Sequence, residues 1–258
     1  AIGNSVRTAR RMAEGENIGL GAWIARSALD GVAETALLAG LCERMNAAGV
    51  RIMRAAIAGS LLDPVFDSRG LRWARGAGGV EESFARESDP TANEDWSRSP
   101  FFRMIQDGAL FLRRRTGDAH PRGEFPVVDE LAARGATDYV AFLTRAAPDG
   151  WHREIEGMIS SWTTDAPDGF TDAQIELVAA MLPTLALAFT LRTTRQTART
   201  LVTTYLGSDA AERVLAGNIV RGQAEPLRAV VWFSDLAGFT RISETVGPAG
   251  MLALLNAY

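Results

Sequence analysis

Around Phe170 the chain carries a full set of helix-start signals, so any fold it adopts must accommodate the long helix that follows. Thr171 and Gln174 have the spacing of a capping box, in which the hydroxyl accepts from the third backbone N–H and the amide reaches back. Phe170 and Ile175 stand where a hydrophobic staple would hold the entering chain. Val178, Leu182, Leu185 and Phe189 then recur at spacings of four, three and four, which puts them on one side of a helix. Pro183 should bend that helix if it lies in the interior, and the stripe turns polar at Arg192 and Gln196. Two placements fit the stripe: a parallel seam against the same helix of a second copy, or packing wholly against a sheet of its own domain.

The residues upstream alternate between the two periods. From Leu20 the spacing is helical, with Trp23 and Ile24 on one face, a break at Asp30-Gly31, then Leu37, Leu38, Leu41 and Met45 before Gly49. Cys42 lies on that apolar face, which predicts a buried, inert thiol. Residues 52–62 and 65–73 read as two antiparallel strands separated by Asp63-Pro64, and 76–91 as a mobile loop rich in Gly, Glu and Ser. A short helix is predicted around Trp96 to Ile105, a third strand over 109–114, and a second short helix opened by Phe125-Pro126 and closed at Gly135. Tyr139–Leu143 and Met158–Trp162 read as two more strands. The aromatics Trp96, Phe101, Phe102, Phe125, Tyr139 and Trp162 are candidates either to line a pocket or to fill a plain core.

This order of elements resembles the GAF and PAS families over residues 21–190, a resemblance of element order and not of motif. It implies an antiparallel sheet cradling an unknown small ligand under short helices, with the signal leaving through the helix after Phe170.

Composition narrows the function classes. The 258 residues are 47% hydrophobic and 22% charged with a net charge of -4, enough for two ordinary globular units. There is no basic field for nucleic acid and no polybasic patch for a membrane surface. All 27 basic residues are arginine, the bias of a high-GC bacterial coding sequence. One cysteine forms no internal disulfide, and no run reaches ~18 apolar residues, so the expected setting is the cytoplasm. His120 and His152 each stand in polar stretches without a second ligand at metal spacing. The run Arg113-Arg114-Arg115 suits a solvated strand edge or an anion contact.

The chemistry-bearing stretch lies near the other end. Ala229 to Ser234 is a short apolar run of the kind that forms a strand buried on both faces, and Asp235 stands at its tip. Leu236-Ala237-Gly238-Phe239-Thr240 follows as a glycine-bearing turn, then Gly247-Pro248 starts a helix. A carboxylate there suits Mg²⁺, and the turn's N–H groups suit phosphate oxygens.

The stretch Phe233-Ser234-Asp235-Leu236-Ala237-Gly238-Phe239-Thr240-Arg241-Ile242-Ser243-Glu244 resembles the opening of the class III adenylate and guanylate cyclase catalytic domain. Tyr205-Leu206-Gly207, Arg213 to Gly217, Arg221-Gly222 and Leu254 to Tyr258 resemble its flanking segments. The resemblance implies a homodimeric enzyme that converts ATP to cAMP and pyrophosphate with Mg²⁺ or Mn²⁺. Asp235 and the Leu236 carbonyl would be metal ligands, and Gly238, Phe239 and Thr240 would line the triphosphate. The family's second metal aspartate, base-selecting pair and transition-state residues would fall after Tyr258, so this chain alone is expected to be inactive.

The sequence therefore predicts an α+β protein: a lead-in over 1–20, a GAF/PAS-like antiparallel sheet flanked by helices over 21–180, a helical transmitter over 181–207, and over 208–258 the first strand and helix of a truncated ferredoxin-like cyclase domain. The alternatives are a non-catalytic ligand-binding or dimerisation module and a guanylate cyclase.

Overall fold

The computed structural model describes residues 19–60, 66–85, 93–116, 123–145, 157–217, 230 and 232–257. His120, His152 and the Asp63-Pro64 punctuation lie outside them. The chain divides into two compact units, Ala1–Leu215 and Ala216–Tyr258.

The first unit is built on a six-stranded antiparallel sheet. Its strands are β1 (Ile52–Ser60), β2 (Phe66–Ala74), β3 (Gly78–Ala85), β4 (Phe111–Arg115), β5 (Asp138–Arg145) and β6 (Gly157–Thr164), in the spatial order β3-β2-β1-β6-β5-β4. β3 corrects the expectation of a mobile loop over 76–91. Its Gly-Gly-Val-Glu-Glu-Ser composition is that of an edge strand, which pairs along one side only and turns charge toward water. Gly76 and Gly78, both at positive φ, close the tight hairpin that puts it beside β2.

One face of the sheet is covered by α1 (residues 19–29), α2 (Glu34–Ala47) and α6 (Asp172–Leu206). The predicted stripe residues Leu37, Leu38, Leu41, Met45, Val178, Leu182, Leu185 and Phe189 are buried there against Ile57, Leu71, Trp73, Met158 and Trp162. Cys42 is buried in the same core, and burial pushes its thiol well above the ordinary range. The four-residue stripe on α6 thus packs within its own chain, not along a seam with a second copy. Gly59 makes this possible, because a Cβ there would sit 2.8 Å from the Phe189 ring.

On the other face lie α3 (Glu94–Ser97), α4 (Pro100–Asp107) and α5 (Pro126–Ala133), with a smaller core of Met104, Leu112, Phe125, Val128, Leu131, Tyr139 and Ala141. The Ser99 hydroxyl caps α4 by accepting from the Phe102 N–H at 3.1 Å, and Pro100 stands in its first turn.

The start of α6 has the predicted chemistry. The Thr171 hydroxyl accepts from the Gln174 N–H at 3.2 Å while the Gln174 amide oxygen accepts from the Thr171 N–H at 3.0 Å. Phe170 is buried, and Ile175 packs against the same core. Pro183 lies inside the continuous helix. By length and composition alone α6 could cross a membrane, but its apolar stripe is buried on the sheet. A short α7 (Ser208–Leu215) completes the first unit.

In the second unit the sequence predicts a leading strand, and the described residues there are irregular. Residues 230 and 232–236 form no strand, and Val230, Trp232 and Phe233 are 93%, 83% and 89% exposed. A strand exists only by pairing, and no strand is present among the described residues of this unit to pair with. Two helices follow, α8 (Phe239–Thr245) and α9 (Pro248–Ala257).

Candidate functional site

Alternation along the central strands sorts the sheet into two chemically different faces. On β6, Met158, Ser160 and Trp162 point to the α6 side and Ile159, Ser161 and Thr163 to the other. The register continues this second set across the sheet: Thr163 is opposite Arg54 on β1 and opposite Tyr139 on β5. Arg54 gains its place from a bulge. Ile52 pairs with Thr164 and Arg54 with Thr163, so Met53 is the extra residue.

These groups are buried and polar. Tyr139 is fully enclosed, and burial pushes its hydroxyl up to about 12, against the pull of a hydrogen bond with Ser161 and the charge of Arg54. Burial pulls the half-buried Arg54 guanidinium below its ordinary value, partly opposed by nearby Tyr139. Thr163 is buried, and its hydroxyl oxygen has no hydrogen-bond partner.

Next to Tyr139, and pointing to the α6 side, Asp138 anchors the exit helix. Its Oδ2 accepts from Arg113 at 2.7 Å and from the Phe170 N–H at 3.1 Å, while Arg113 also donates to the Phe170 carbonyl at 2.6 Å. Gly169 makes room at φ +71, where a Cβ would approach that same carboxylate oxygen to 2.7 Å. The arginine run is thus structural: Arg113 clamps the α6 entrance, and Arg114 pairs with Glu124 and lies over the Phe125 ring.

The six predicted aromatics divide between the faces. Trp96 meets Phe102 edge-to-face at 6.2 Å, and Phe102 and Phe125 line an open cleft of about 450 Å³ with Arg98, Arg103 and Gln106. Phe101, Phe125 and Tyr139 share the smaller core. Trp162 is apart from them, in the larger core on the opposite face, where its indole N–H donates to Ser160. Arg54, Ser161, Thr163 and Asp138 were not singled out by sequence reasoning. The signal was present in Arg54, the one cation inside the apolar strand Ile52–Ser60.

In the second unit, Asp235 is exposed and Leu236 half-buried, and the Leu236 carbonyl accepts from the Phe239 N–H at 3.0 Å. Gly238 caps α8 at φ 76, and Phe239 and Thr240 form its exposed first turn. One carboxylate and one carbonyl already engaged in a turn fall short of the roughly six oxygens that Mg²⁺ requires. Among the described residues there is no cluster of three or more His, Cys, Asp or Glu able to hold a metal. Asp235 and the Leu236 carbonyl are thus at most part of the Mg²⁺ or Mn²⁺ site that the cyclase resemblance implies, whose second aspartate would fall after Tyr258.

No protein-family description matches the chain, and no curated protein matches it significantly. Among solved structures it is similar to the GAF domain of a two-component sensor histidine kinase from Bacillus halodurans, at 11% identity over 54% of this chain and 82% of that one, with a TM-score of 0.36. It is also similar to the phycoerythrobilin-bound GAF domain of a cyanobacterial phytochrome, at 12% identity over 67% of this chain and 93% of that one, with a TM-score of 0.39. At such identities and scores these likenesses assign no ligand, activity or partner to this chain.

Proposed function

We propose that the first unit is a regulatory domain of the GAF type that senses a small molecule and reports through α6. The observation that carries this reading is the contrast between the faces joined to one exit. One face is a dry core, the other holds a row of buried polar groups beneath short helices, and Tyr139, the residue after Asp138, belongs to that row. A ligand that moves β5 at Tyr139 moves the carboxylate holding the first turn of α6. Mass spectrometry of the natively purified 258-residue chain should release a bound small molecule in stoichiometric amount. A chain that purifies empty, and that no small-molecule extract stabilises against heat, contradicts the sensor reading.

A second reading concerns the second unit, and the residue run Phe233–Glu244 favours it. In it, this unit opens a class III cyclase domain within a longer chain that makes cAMP from ATP in the cytoplasm as a homodimer, the 258-residue chain being inactive by itself. Asp235 would act there with ligands from residues beyond those described. In that longer chain Asp235→Asn should keep the fold and abolish cyclic-nucleotide formation. Wild-type turnover by the variant overturns the assignment.

A further inference from the structure

The polar row on the second face is unbalanced in a way that specifies a ligand. The Thr163 hydroxyl is buried beside Arg54 and is unpartnered, a costly state when nothing fills it. Arg54 itself has no ion-pair partner among the described residues. The two carboxylates whose charge reaches it are already held elsewhere, Glu82 by Arg72 and Glu130 by Arg134, each at 2.6 Å. Two neighbouring donors, one of them a cation, therefore lack an acceptor.

Ala56, Ala58, Gly70 and Ala74 share this face of β1 and β2 with Arg72, so small side chains and a second cation stand beside Arg54. A cationic ligand would be repelled by Arg54 and Arg72, and a neutral apolar one would leave both the guanidinium and the hydroxyl unpaired. An oxyanion satisfies both at once, since carboxylate and phosphate oxygens match the planar fork of arginine.

We propose that this face binds a small organic oxyanion, whose carboxylate or phosphate group is held by the Arg54 guanidinium and the Thr163 hydroxyl, with Tyr139 alongside. The inference rests on the sensor reading and names its ligand class. Thermal unfolding of the 258-residue chain, with sodium chloride replaced at constant ionic strength by sodium phosphate or sodium acetate, tests it. At least one of the two anions should raise the midpoint saturably, and which one does so tells phosphate from carboxylate recognition. Arg54→Gln and Thr163→Val should each weaken the effect by roughly tenfold or more, the scale of a hydrogen bond to a charged group. Arg26→Gln, at an exposed position of α1, should not change it. If circular dichroism shows Arg54→Gln unfolded, the near-isosteric Thr163→Val decides. Undiminished stabilisation in the folded variants overturns the proposal, as does stabilisation by neither anion. A neutral molecule that co-purifies with a chain indifferent to both anions removes the oxyanion and leaves the sensor reading standing, whereas an empty, indifferent chain removes both.

Discussion

The two faces of the sheet are made from the same strands, often from consecutive residues, yet they follow different rules. Trp162 and Thr163 are neighbours in β6 and both are buried. Trp162 lies among Ala55, Val140, Met158 and the α6 stripe, where its one polar atom has found Ser160. Thr163 lies between Arg54 and Tyr139 with its oxygen unpaired. Unpaired buried oxygens occur on α2 and α6 too, at Glu34 Oε1 and Thr193 Oγ1. Thr163, however, is the one that stands in register opposite an arginine with no ion-pair partner among the described residues, which is what makes its face suited to receive something.

The largest effect that would sharpen this contrast belongs to the dry face. Trp162→Ala should cost about 3–5 kcal/mol in denaturant unfolding, because it opens a large cavity in a close-packed core. A loss under about 1 kcal/mol would mean that this face is not the stabilising one. Next comes the anchor between the faces. Arg113→Ala should cost about 2–3 kcal/mol, because it leaves the Asp138 carboxylate buried with only the Phe170 N–H for support. Unchanged stability in that variant would show that Asp138 does not need its clamp.

On the polar face the expected sign reverses. Thr163→Val, without ligand, should be neutral or stabilise by up to about 1 kcal/mol, since it removes an unpaired buried hydroxyl. Destabilisation by 1–3 kcal/mol would reveal a partner for that hydroxyl and erase the contrast. The smallest effect is a pH dependence at the edge of the dry face, where Glu34 meets Arg69 at 2.5 Å. Burial raises the Glu34 pKa, against the pull of Arg69. A raised acid binds its proton more readily in the folded state, so its stabilising contribution is fullest below the ordinary glutamate range and is lost as pH rises through the raised value. Denaturation midpoints of wild type should therefore fall relative to those of Glu34→Gln across that window. Parallel curves would show that Glu34 titrates normally.

Much of the architecture was legible because it follows from short-range chemistry. Thr171 and Gln174 cap α6, Pro126 opens α5, and the α2 and α6 stripes face the core, all as spacing predicts, whereas the one helix expected around Trp96 to Ile105 is two, α3 and α4. β3 was not legible, since Gly78 to Ser83 has the composition of a loop and becomes a strand only by pairing with β2. The apolar run ending at Ser234 misled in the opposite way: its described residues have strand propensity but no strand to pair with. The polar row was hidden for a third reason. Arg54, Thr163 and Tyr139 are over a hundred residues apart at the extremes, and register alone, shifted by the bulge at Met53, makes them neighbours.

Solution NMR of the Trp162 indole N–H and the Thr163 methyl, followed as phosphate or acetate is added, tests the central claim most directly. These two reporters are adjacent in sequence and lie on opposite faces. The Thr163 methyl and the Tyr139 ring should shift and saturate together while the Trp162 indole stays in place. A titration that moves the Trp162 indole and leaves Thr163 and Tyr139 unmoved would contradict the assignment of the ligand face.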